Sequence, residues 1–208
     1  MLSLATLAVS FGCIEGAVVI YLRQIFYPHG FSFPLVPIPW HLLRVEMIRE
    51  AATLTLLLGA AGLAARSPIR RFGAFAFAFG VWDLVYYLTL EVALGWPRTV
   101  LDWDILFLLP MPWVGPVLSP VLVAIALVLV GAVFFVLPED QRPRITRVDW
   151  WVEIAAGCIV LAAFLWNGPE ILAGRNPTGF PWTLFLVGYF GGWAWFIYRW
   201  LSADRSNS

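Results

Sequence analysis

The chain has 208 residues, of which 61% are hydrophobic and only 12% charged. Soluble domains carry about 25% charged residues, and a water-soluble fold of this composition would expose large apolar patches, so that class is excluded. Thirteen acidic residues balance thirteen basic ones, which gives no electrostatic basis for binding nucleic acid; every basic residue is Arg, so chemistry through a lysine Schiff base is excluded as well.

A helix rises about 1.5 Å per residue, and roughly 20 residues cross a hydrocarbon core of about 30 Å. Six apolar runs reach that length. They predict an all-α, polytopic membrane bundle forming a single membrane domain over residues 1–208, with spans at 4–27, 40–65, 72–94, 116–137, 150–172 and 182–201. The first run carries Glu15 and lacks a basic leader, so it reads as a span rather than a cleaved signal. Four prolines in PHGFSFPLVPIP separate the first two spans, because proline cannot continue a helix. RSPIRR, PEDQRPRITRVD and NGPEILAGRNPTGFP mark later breaks.

The segment 95–115, GWPRTVLDWDILFLLPMPWVG, is different. Its apolar centre is too short to span and prolines interrupt it, so it is expected to be an interfacial or re-entrant piece capping one side of the bundle. Gly12/Gly16 and Gly188/Gly192 are small-xxx-small pairs suited to close helix contacts, within the chain or across a homodimer. Cys13 and Cys158 lie in apolar runs without CxxC spacing and read as small core residues.

Arg placement predicts orientation. Arg66, Arg70, Arg71, Arg142, Arg144, Arg147, Arg199 and Arg205 cluster at one side of the predicted bundle. The positive-inside rule then puts both termini in the cytoplasm of a bacterial inner-membrane protein.

Charge inside the first three spans is the informative feature, because an ionised side chain at mid-membrane costs roughly 2.5–3.5 kcal/mol on insertion scales. Span 1 carries Glu15 and Arg23; span 2 carries Arg44, Glu46, Arg49 and Glu50; span 3 carries Asp83 and Glu91. Helical spacing aligns Glu46, Arg49, Glu50 and Thr53 on one face, and Asp83, Tyr87 and Glu91 along another. Glu15, Arg49, Glu50 and Asp83 fall near mid-depth, so the stripes predict a polar site open to the outside and ending at the midplane. The last three spans supply mainly wall.

The candidate site residues are therefore Glu15, Arg23, Arg44, Glu46, Arg49, Glu50, Asp83, Tyr87 and Glu91. Neither histidine sits in a Glu-x-x-His, HExxH or similar arrangement, so no metal and no cofactor is expected. The pattern predicts binding or transport of a small molecule, proton or cation. Two alternatives remain: a membrane enzyme acting on a lipid or isoprenoid-like substrate, and a non-catalytic accessory subunit with a membrane-protein partner. In the last, the charges only pair to fix helix register. The lipid bilayer is the one partner common to all three.

Overall fold

A computed structural model describes residues 1–138, 141–142 and 144–206, with side chains described to residue 202. The chain is mostly helical. In order it forms α1 (Leu2–Phe26), α2 (Trp40–Ala64), α3 (Pro68–Leu94), β1 (Trp103–Phe107), β2 (Trp113–Pro116), α4 (Leu118–Val136), α5 (Arg147–Leu165), α6 (Gly168–Leu172) and α7 (Trp182–Ser206). Among the described residues, five helices are long and apolar enough to cross a membrane: α1, α2, α3, α4, and α5 taken on through α6. Helix α7 is as long as α1. Its Trp, Tyr and Gly content lowers its mean hydropathy, and it stands outside those five.

Local chemistry sets the ends. Ser67 caps α3 by accepting from the Arg70 N–H, with Pro68 at the first helical position, and Gly95 ends the helix at φ 62°, a conformation that glycine adopts without a Cβ penalty. Thr146 and Asp149 form a reciprocal capping box at the start of α5, which satisfies two backbone donors that the first turn leaves free.

Helix α3 is the centre. Its buried residues include Gly73, Ala74, Phe77, Gly80, Trp82 and Tyr86, and α1, α2 and α4 all pack on it. The α3–α4 seam is made of absent side chains. A Cβ at Gly131 would lie 2.4 Å from the Phe77 nitrogen, and one at Gly80 would lie 2.5 Å from the Ala124 carbonyl oxygen. The small-xxx-small pairs work inside the chain: Gly12 and Gly16 face Val85 and Thr89 of α3, while Gly188 and Gly192 face Ala156 and Glu153 of α5. Cys13 and Cys158, read as core residues, are instead exposed on the outside of the bundle.

The segment after α3 departs from the all-α expectation. It is an antiparallel hairpin that pairs Trp103 with Pro116 and Ile105 with Val114. Successive strand residues face opposite sides, and Asp104 is buried at 2% exposure between the less buried Trp103 and Ile105. The hairpin inserts against the helices. The Leu108 N–H donates to both carboxylate oxygens of Glu50, at 3.1 and 3.0 Å, about 15 Å along α2 from Trp40. Helices α5 and α7 pack on each other and meet the rest through β2 and an aromatic cluster around Phe164, Phe180 and Phe185.

Candidate functional site

A cavity of about 500 Å³ lies between α1, α2, α3 and the hairpin, closed further by residues of α4, α5 and α6. Ligand pockets typically measure about 300–1,000 Å³. The loop between α1 and α2 also lines it. The cavity therefore sits toward the end of the bundle away from the Arg-bearing α2–α3 and α4–α5 connections.

Helix phase delivers the polar lining. The buried residues of α2 are Glu50, Thr53, Leu57 and Ala61, a stripe at three- and four-residue spacing that is polar at one end and apolar at the other. Helix α1 brings Glu15 and Arg23 to the cavity, and α3 brings Asp83, Tyr86 and Tyr87.

Arg49 is the hub of the lining. Its guanidinium donates to Glu15 across the α1–α2 interface and to Glu46 one turn before it, while Thr53 donates to the second Glu15 oxygen at 3.3 Å. A planar fork with five donors suits this double role. Arg23 makes a separate buried pair with Asp104 at 2.8 Å, and its guanidinium lies 3.6 Å from the Trp96 ring centroid and 4.6 Å from that of Phe31. Tyr86 donates to the other Asp104 oxygen at 3.4 Å.

Among the described residues, two carboxylates of the lining form no ion pair. Glu50, 6% exposed, accepts from the Leu108 N–H. Asp83 lines the cavity with no hydrogen-bond or ion-pair partner among the described residues. Five carboxylates (Glu15, Glu46, Glu50, Asp83 and Asp104) line the cavity against two guanidiniums, Arg23 and Arg49. If all ionised, they leave an excess of three negative charges. Charge of one sign inside a membrane protein is neutralised by a proton, a bound cation or a further partner.

Of the nine residues singled out from the sequence, seven line this cavity: Glu15, Arg23, Glu46, Arg49, Glu50, Asp83 and Tyr87. Arg44 and Glu91 do not; both are exposed. Each four-residue step turns a helical stripe by about 40°, so Glu91 sits about 80° round α3 from Asp83. Arg23 is as far from Glu15 in sequence, yet its longer side chain reaches back to the hairpin. Arg44 lies about 120° round α2 from Glu50. Asp104, Tyr86 and the Leu108 N–H were not anticipated. The available signal is the alternation of acidic and apolar residues in LDWDI, residues 101–105, a strand pattern rather than a helical one.

A second cavity of about 350 Å³ lies between α3 and α4 on one side and α5 and α7 on the other. It is almost wholly apolar. Its Asp149 is already bonded to Thr146, Trp195 and Arg199, and Glu153 is its single lining carboxylate without a hydrogen-bond or ion-pair partner among the described residues, where the larger cavity has several carboxylates on separate elements. No protein-family model, curated protein or solved structure matches the chain.

Proposed function

We propose that this chain is a multi-pass inner-membrane protein that binds a small molecule or ion in the larger cavity, in the manner of a transporter or a substrate-capturing subunit. The observation that carries the reading is the pairing pattern. Arg49 pairs with Glu15 and Glu46 and Arg23 pairs with Asp104, whereas Glu50 and Asp83 face the same cavity with no ion pair among the described residues. Charges that served only to fix helix register would be expected to pair off. Both termini are placed in the cytoplasm on the Arg distribution, and the cavity then opens to the outside.

Native mass spectrometry of the protein released from detergent tests this reading. The wild type should carry a bound small molecule or ion, and Glu50→Gln and Asp83→Asn should fold yet release it. An empty wild type, with variants indistinguishable from it in every ligand screen, overturns the binding role.

A further inference from the structure

Resting on the binding role proposed above, we infer that the ligand is an organic ammonium ion carried on an apolar body. Size is the first argument. A water molecule's share of liquid volume is about 30 Å³, so a cavity of about 500 Å³ far exceeds a bare inorganic cation. The carboxylates also do not converge as metal ligands: among the described residues no three His, Cys, Asp or Glu side chains form a group able to hold a metal ion.

Charge is the second. An excess of carboxylate over guanidinium disfavours an anion and leaves Glu50 and Asp83 to face a positive group.

Aromatic surface is the third, and it connects the other two. Phe79, Trp82, Phe107 and Trp113 all line the cavity and touch in series, with ring centroids 5.3 Å apart for Phe79 and Trp82, 6.4 Å for Trp82 and Phe107, and 5.4 Å for Phe107 and Trp113. Trp82 immediately precedes Asp83. Phe107 immediately precedes Leu108, whose N–H holds Glu50. These rings line the same cavity as the two unpaired carboxylates. Ring faces beside a carboxylate are the chemistry that recognises ammonium groups, and the rings also cover an apolar body. The lining is not self-satisfied either. Trp82 is 4% and Arg23 7% exposed, and the Trp82 indole N–H and Arg23 Nη1 have no hydrogen-bond partner among the described residues. A buried donor of this kind is met by a ligand oxygen or an ordered water.

The test uses the full chain in phosphatidylglycerol nanodiscs and three probes of one shape: phenethylammonium, 2-phenylethanol and 3-phenylpropanoate. Phenethylammonium should bind saturably, and the alcohol and the carboxylate at least about 30-fold more weakly, the scale expected when one partner of a buried charge pair is lost. Asp83→Asn and Glu50→Gln should each weaken phenethylammonium by a similar factor, and Glu91→Gln, on the exposed face of α3, should not. If Asp83→Asn fails to fold, the wild-type panel and Glu50→Gln still decide. Adding phosphatidylethanolamine separates two sources of the same chemistry: loss of probe binding assigns a lipid headgroup, and unchanged binding assigns a free amine. Equal or tighter binding of the alcohol or the carboxylate, binding of no probe, or unaltered amine binding in both variants overturns the assignment. A wild type that retains a neutral or anionic molecule in mass spectrometry while ignoring the amine overturns the ammonium class and leaves the binding role standing.

Discussion

Arg23 of α1 and Asp104 of β1 form a buried ion pair at 2.8 Å across 81 residues of sequence. This pair latches the hairpin to the first helix and closes one side of the cavity. Breaking one partner of a buried pair typically costs about 3–5 kcal/mol, whereas replacing both is often nearly neutral. Arg23→Met and Asp104→Leu should each lower the unfolding midpoint strongly, and the double variant should recover most of the loss. Additive losses in the double variant, measured by denaturant titration in detergent, would contradict the latch.

Arg49 should tolerate even a charge-conserving change poorly. It serves Glu15 and Glu46 at once, and a lysine ammonium is a point donor that does not reproduce the fork. Arg49→Lys should lower thermal stability, and Arg49→Met should lower it further by leaving two carboxylates uncompensated. A Lys variant as stable as wild type would show that fork geometry is irrelevant here.

The α3–α4 seam predicts a sharp contrast among glycines. Gly131→Ala and Gly80→Ala each force a methyl group onto backbone atoms and should destabilise by about 1–3 kcal/mol, as overpacking does. Gly59→Ala and Gly62→Ala on α2 meet nothing within 4 Å and should be neutral or slightly stabilising, since alanine favours a helix by up to about 1 kcal/mol over glycine. Thermal unfolding of the four variants separates the two groups.

Orientation is checked with reporters. A phosphatase fused after Ser208 should stay inactive, and one inserted at Gly30, in the exposed α1–α2 loop, should be active. The reverse result would invert the opening of the cavity.

Much of this arrangement was legible in the residues. Long apolar runs gave the helices because burial in lipid demands length and internal hydrogen bonding. Spacing of three and four residues brought Glu46, Arg49, Glu50 and Thr53 to one cavity. The prolines and the short apolar centre of residues 95–115 excluded a spanning helix there, but not its strand pairing or its depth. Those depend on long-range partners, Arg23 for Asp104 and Glu50 for the Leu108 N–H, which no local pattern encodes. Glu91 falls outside the cavity because a stripe drawn over two turns ignores the rotation of the helix beneath it, and Arg44 because its position as a charge within the second span says nothing of the face it occupies. Cys13 and Cys158 were misplaced because an apolar run in a membrane helix does not say which face meets lipid.

The most direct test of the account reads stability and ligand retention together in Asp83→Asn. The unpaired carboxylate has no cationic partner to strand, and removing one of several crowded like charges relieves repulsion and desolvation. Asp83→Asn should be at least as thermally stable as the ligand-free wild type and should no longer retain the bound molecule. A variant destabilised as severely as Arg49→Met, or one that retains the molecule unchanged, would contradict it.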